Sequence, residues 1–454
     1  MVRGQDGLNQ DVRPPNIVVI LTDDQGYKDV GFNDSPDIKT PQIDRIARNG
    51  VKFTNGYVSY AVCGPSRAGL ITGRYQDRFG FSRNPLFAPK DSLQGLPLSE
   101  ETLASALKKS GYATMAIGKW HLGAHPSLRP LNRGFDEFFG FLSGGHRYFP
   151  QDWTLKDISE VNAQFEAYQT RLLRNDQRVE EKEYLTDALS REAVSFVKRK
   201  ADQPFFLYLA YNAPHSPLQA TEKYLKRYAH IKDKDRRTYA AMVSAVDDGV
   251  GELLDTLEDL GLTQNTLVFF LSDNGGPENK GANNGELRQG KGSLYEGGIR
   301  VPFAVQWPGT IPPGQEYHQP VISLDIFATA IVQAGGTSRN SLDGVNLLPY
   351  LRDQSLQQPQ RRLYWRKFDA QAIAIREGRH KMVRDRKQDS LQVYDLSADI
   401  GESFPLSDPG RLEELKTFHR EWERTNIPPV FPGLLQDREY SREHPDRFLN
   451  NEKY

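Results

Sequence analysis

The chain's 454 residues are 38% hydrophobic and 26% charged, and 58 Lys and Arg against 59 Asp and Glu leave a formal charge of −1. This composition supplies a large apolar core and excludes a disordered chain, and the missing basic excess argues against a nucleic-acid partner. No run approaches the roughly 18 apolar residues that span a membrane, so no membrane span is expected.

Residues 1–15 are polar and lack the apolar centre of a signal peptide, which gives the expectation of a mature chain with its export signal removed. Residues 16–21 form a β-branched run of the kind buried on both faces of a parallel sheet, and Asp23 and Asp24 follow at once. A helix is predicted over 100–110, capped by Ser99 and stopped by Gly111. A strand over 112–117 then leads into Gly118-Lys119-Trp120-His121-Leu122-Gly123. Residues 151–183 are charged and aromatic without a period, and read as an insertion over the sheet beside a substrate mouth. A helical stripe follows at Leu185, Leu189, Ala193, Phe196 and Val197, then a strand over 205–211 that runs into Asn212-Ala213-Pro214-His215. A second stripe, Val243, Val246, Val250, Leu253, Leu254 and Leu257, closes at Gly261 and precedes a strand over 266–271 that ends in Ser272-Asp273-Asn274. Alternating strands and helices predict an α/β fold, a large mostly parallel sheet sandwiched by helices. Past 353 the pattern changes to a Gln-rich linker with Pro359, short strands at 363–365, 372–375, 381–383 and 391–394, and a helix over 411–424. This predicts a smaller C-terminal antiparallel sheet plus helix, and a division into 1–353 and 354–454.

Four strand-like runs end in polar residues, and open α/β sheets bind ligands beyond the carboxyl ends of their strands. Asp23, Asp24, Asp273 and Asn274 make a hard all-oxygen set that suits Ca2+ or Mg2+ rather than zinc. A single loop aspartate is ordinarily a solvated charge or a cap; four such groups at two strand ends are costly to bury without a cation. Lys119 and His121, two apart, would point to one side of an extended segment. His215 is set between two prolines. Lys291 lies in a Gly-rich segment, Gly290-Lys291-Gly292-Ser293. His146 and Arg147, beside aromatics in 144–149, are candidates for gripping a substrate.

Cys63 is the one cysteine, so no intrachain disulfide forms. A lone thiol is ordinarily a small buried hydrophobe. Here it heads Cys63-Gly64-Pro65-Ser66-Arg67-Ala68-Gly69-Leu70-Ile71-Thr72-Gly73-Arg74, in which Gly and Pro mark irregular backbone and two arginines bring fixed charge.

That twelve-residue run resembles the signature of the type I sulfatases, C-x-P-S-R followed by T-G-R, and the segments around Lys119 and Lys291 resemble two further strings of the family. The resemblance implies an alkaline-phosphatase-like fold and a formylglycine made from Cys63 by post-translational oxidation, through a formylglycine-generating or anaerobic maturation enzyme. It implies a divalent metal, usually Ca2+, on Asp23, Asp24, Asp273, Asn274 and position 63. Arg67, Lys119 and Lys291 would neutralise the sulfuryl oxygens, His215, alone or together with Lys291, would protonate the leaving alcohol, and His121 would take the proton whose loss re-forms the aldehyde. The expected substrate is a sulfated glycan, galactose-configured, met by a periplasmic or secreted enzyme. Two other readings remain: a phosphonate or phosphate ester hydrolase of the same fold, and an inactive sulfatase-like glycan-binding protein.

Overall fold

The computed structural model describes residues 13–356, 358 and 360–448; residues 1–12, and Pro359 of the expected linker, lie outside them. One ten-stranded sheet organises the molecule, in the order Gln315–Tyr317, Gly50–Phe53, Phe303–Gln306, Thr266–Ser272, Asn16–Thr22, Phe205–Ala210, Ala113–Lys119, Glu137–Phe141, Leu172–Arg174, Gln177–Val179. Its five central strands are mutually parallel, and antiparallel pairings appear toward both edges. Side-chain alternation divides the central strands between two cores. Ile17, Val19 and Leu21 pack on one face with Ala68, Leu107 and Phe327, while Val18 and Ile20 pack on the other with Leu189, Phe196 and Val250. Both faces are therefore covered by helices, as a parallel sheet requires.

Local differences from the sequence reading have physical causes. The helix read over 100–110 is shorter, Leu103–Lys109, because Thr102 caps it: its hydroxyl accepts from Ser105 N at 3.1 Å. The strand read over 112–117 runs on to Lys119, since its pairing with Glu137–Phe141 continues to that residue. The end of the expected insertion belongs to the sheet: Leu172–Arg174 and Gln177–Val179 form a hairpin on its edge, with Asn175 at φ 56 in the turn. The helix bearing the second stripe is Lys234–Asp259, started by Asp233, whose carboxylate accepts from Arg236 N.

The C-terminal strands Arg362–Lys367, Ala372–Glu377, His380–Arg384 and Gln392–Asp395 form an antiparallel meander. Helix Pro409–Glu423 covers one face, with Leu415 packed on Ile375, Met382 and Val393. The other face sets Trp365, Ala374 and Val383 against Tyr57, Ile299 and Leu324 of the large unit.

Candidate active site

Parallel register brings the polar strand ends to one edge. Thr22 pairs with Ser272 and Leu21 with Ala210, so Asp23, Asp24, Asp273, Asn274 and the loop to His215 leave the sheet side by side. Asp23 N donates to Ala213 O at 3.2 Å and Asp273 N to Thr22 O at 3.0 Å, which locks these exits together. Lys119 is the last residue of the neighbouring strand. Cys63 begins the helix Cys63–Thr72, every residue of which is buried, and Arg67 lies one turn further in.

The charged groups meet directly. Cys63 Sγ is 3.3 Å from Asp23 Oδ1, and Lys119 Nζ donates to Asp23 Oδ2 at 2.5 Å. Arg67 spans two carboxylates: its Nε donates to Asp273 Oδ2 at 2.9 Å, and another guanidinium nitrogen lies 3.7 Å from Asp23 Oδ2. Lys291 Nζ lies 2.7 Å from Asp24, and His215 Nε2 lies 3.7 Å from the same carboxylate. Asp24 has φ 66 and His121 φ 58, backbone that non-glycine residues rarely adopt and that concentrates at functional sites.

Burial pushes these groups toward neutrality and their neighbours decide the outcome. For Asp24, burial alone would raise the pKa, but Lys291 and His215 outweigh it and hold the carboxyl at about 2. Asp273 is raised, by burial and then by the adjacent Asp23. The Cys63 thiol is pushed far up by burial and by Asp23 and Asp273, so as encoded it is a protonated, unreactive thiol. His215 falls to about 3, through burial and then the charge of Lys291. His121 falls well below its ordinary value, through burial and the charges of Lys119 and Arg67.

The donor set fits a hard divalent cation. Ligand atoms of Asp23, Asp24, Cys63 and His215 all lie within 4.8 Å of one another; this group takes in His215 and leaves out the expected Asp273, whose carboxylate is engaged by Arg67. Asn274 Nδ2 donates to Asp24 Oδ1 at 2.7 Å, while its Oδ1 is buried without a hydrogen-bond partner, an orphaned acceptor at the end of the same strand as Asp273. Three carboxylates here face the three cations Arg67, Lys119 and Lys291; an added divalent cation leaves a positive excess that suits an anionic group.

The expected side-by-side placement of Lys119 and His121 does not come from a strand pleat, because the strand stops at Lys119 and His121 turns left-handed. Its ring is buried, with Nδ1 unpartnered and Nε2 against Gly144, where a Cβ would sit 2.7 Å from that nitrogen. His146 is not brought to the site. It is fully buried between Phe141 and Trp153, and its two ring nitrogens lie 2.9 and 2.8 Å from the carbonyls of Arg147 and Thr170. Its polar atoms are spent on holding the loop. Arg147 does face outward, into a cavity of about 720 Å³ shared with Gln164, Phe165, Tyr168, Gln219 and Asp437. Tyr168 went unseen in the sequence: it lies in the aperiodic stretch, yet its pKa is raised by burial and then by the neighbouring Cys63 and Asp23.

Fold and site together define a hydrolase acting on an anionic ester at the carboxyl edge of a parallel sheet. The sulfatase family model matches residues 15–336, and that of the N-sulphoglucosamine sulphohydrolase C-terminal region matches 289–424. The chain belongs to the sulfatase family, whose reaction is the hydrolysis of sulfate esters. It is 37% identical over 438 residues to human N-acetylgalactosamine-6-sulfatase, covering 92% of this chain and 79% of the relative. Among solved structures, Ps i-CgsB is 39% identical with a TM-score of 0.88, covering 97% of this chain and all of that one; its complex with k-i-k-neocarrahexaose gives 38% and 0.87. The phosphonate monoester hydrolase of Agrobacterium radiobacter shares the fold, at 21% identity and a TM-score of 0.64. Among the described residues, no helix is long and apolar enough to cross a membrane.

Proposed function

We propose that this chain removes sulfate from a galactose-configured sulfated glycan, using a formylglycine made from Cys63 by a maturation enzyme, with Ca2+ preferred over Mg2+. The observation that carries the reading is the buried contact of Cys63 with Asp23, ringed by Arg67, Lys119 and Lys291. Support for a sugar sulfate comes from N-acetylgalactosamine-6-sulfatase and from the neocarrahexaose held by Ps i-CgsB. The catalytic unit is assigned to 1–353 and a supporting subdomain to 354–454, in an exported, periplasmic or secreted enzyme.

Asp23, Asp24, Asp273 and Asn274, with position 63, would hold the cation, which together with the hydrated aldehyde supplies an acidified hydroxyl for attack on sulfur. Arg67, Lys119 and Lys291 place fixed positive charge where the sulfuryl oxygens gain negative charge. Lys291 suits this role because its ammonium stays firmly protonated: burial opposes the charge, but Asp24 outweighs burial. His215 rests neutral, and an anionic sulfate beside it favours its protonation; Nε2 then donates to the leaving alcohol. His121, neutral with a free Nδ1, accepts the last proton. Arg147 and Tyr168 line the mouth in which the sugar sits.

The test has two parts on one sample. Mass spectrometry of the peptide containing position 63 distinguishes aldehyde from thiol, and sulfate release is followed on 6-sulfated N-acetylgalactosamine oligosaccharides, carrageenan oligosaccharides and a phosphonate monoester. Aldehyde together with release from a galactose-configured sulfate is the expected result. Turnover by a Cys63→Ser variant at the unmutated rate would sink the mechanism, and faster turnover of the phosphonate would move the chain to the other ester class.

A further inference from the structure

The segment bearing Lys291 is held differently from the other site residues. The sheet edge fixes Asp23, Lys119 and Asp273; Lys291 N donates to Gly276 O at 3.3 Å and Gly292 N to Ala61 O at 2.8 Å within the large unit, and the C-terminal subdomain grips the backbone that follows. Lys367 donates to the carbonyl of Gly292, Leu294 N donates to Asp385 Oδ1 at 2.6 Å, and Glu296 N donates to Glu402 Oε2 at 2.6 Å. Behind these contacts lies a buried ionic unit: Lys381 Nζ is 2.9 Å from both Glu296 Oε1 and Glu402 Oε1, and all three side chains are fully buried. Glu402 itself sits at φ 50, in the left-handed region. Among the described residues, none of these groups bonds to Asp23, Asp24 or Cys63, so the proposed chemistry leaves the unit unused.

A lysine reaches its anion on a flexible four-carbon stem, so the site of its charge depends on where its backbone is anchored. A displacement of about 1 Å at such a site costs on the order of 100-fold in rate. We propose that Lys381, Glu402 and Asp385 are positioning residues that fix the backbone of 292–296 and thereby hold Lys291 Nζ at the anion site beside Asp24. This rests on the reading of Lys291 as a sulfate contact. The small C-terminal sheet then braces the anion site from outside, through the hydrogen bonds that Asp385 and Glu402 accept from Leu294 and Glu296.

Inorganic sulfate is the probe, and its binding to the full chain in Ca2+-containing buffer is measured by calorimetry. Lys291→Ala is expected to weaken binding about 10-fold, the loss of one charge-assisted contact. Glu402→Ala is expected to weaken it by a similar factor, and Glu402→Gln, which retains an acceptor for Glu296 N, by less. In the double variant Lys291→Ala/Glu402→Ala the second change adds nothing, because it acts through a side chain already absent. Losses that multiply overturn the positioning role, since a general loosening weakens sulfate binding with or without Lys291. Failure of the unmutated chain to bind sulfate, or binding untouched by Lys291→Ala, overturns the reading of Lys291 and the inference with it. Asp385→Ala supplies the same cycle if Glu402→Ala does not fold.

Discussion

Lys119 Nζ donates to Asp23 Oδ2 at 2.5 Å with both side chains wholly buried, and this pair ties two sheet strands together at the centre of the site. Removing one partner of a buried pair leaves an uncompensated charge and costs about 3–5 kcal/mol. Lys119→Met is expected to lower both unfolding stability in urea and sulfate release. The double variant Lys119→Met/Asp23→Asn removes both charges and should recover much of the stability while turnover stays lost. Parallel loss and recovery of the two readouts would mean that the pair serves packing alone.

A second consequence concerns pH and lies outside the reacting cluster. Asp247 is buried, and burial raises its carboxyl to about 7 although its Oδ1 accepts from Gln42 N and Ile43 N at 3.0 and 2.8 Å. Its folded pKa is above the unfolded value of about 3.9. The folded state therefore binds the extra proton, and stability falls as pH rises from about 4 to 7. Asp247→Asn keeps an acceptor for both N–H groups and removes the titration. Its unfolding free energy should match that of the unmutated chain near pH 4 and exceed it by a few kcal/mol at pH 8; equal stability at both pH values would contradict the assignment.

Much of the site was legible because its residues are placed by strand ends. Strand-like apolar runs that lead into Asp23, Lys119, His215 and Asp273 announce both the sheet and its reactive edge, and parallel register does the rest. What stayed hidden depends on packing with no local period. His146 has the composition of a binding residue, but nothing local says that Phe141 and Trp153 enclose it. Tyr168 approaches Cys63 only because the 151–183 segment folds back over the sheet and its end becomes an edge hairpin. The hold of Asp385 and Glu402 on the Lys291 segment links positions about a hundred residues apart, beyond any spacing argument.

The burial of His146 has its own test. His146→Ala leaves two buried carbonyls without the ring and opens a cavity, so a loss of about 2–4 kcal/mol in unfolding stability is expected. Arg147→Ala, at the mouth, should instead raise KM for the sulfated oligosaccharide and leave stability nearly unchanged. A rise in KM from His146→Ala at unaltered stability would restore the ring to the substrate's path.

Asn274 offers the sharpest readout of the cation. Its Oδ1 is a buried acceptor without a partner while its Nδ2 is engaged by Asp24 and by Gly275 O, so the oxygen is free for a ligand that donates no hydrogen. A cation bound only by the folded chain adds RT ln(1 + [L]/Kd), about 2.7 kcal/mol at a hundredfold excess over Kd. Ca2+ should thus raise the thermal midpoint of the chelator-treated protein in a concentration-dependent way. Mg2+, which accepts fewer protein oxygens and gives up its waters reluctantly, should raise it less. Asn274→Ala removes one oxygen and spares the carboxylates, so its midpoint should need more Ca2+ to rise by the same amount. Asp273→Asn removes the charge that also anchors Arg67 and should abolish the rise. A midpoint indifferent to Ca2+ in the unmutated chain would leave the orphaned oxygen to a bound water and take the cation out of the site.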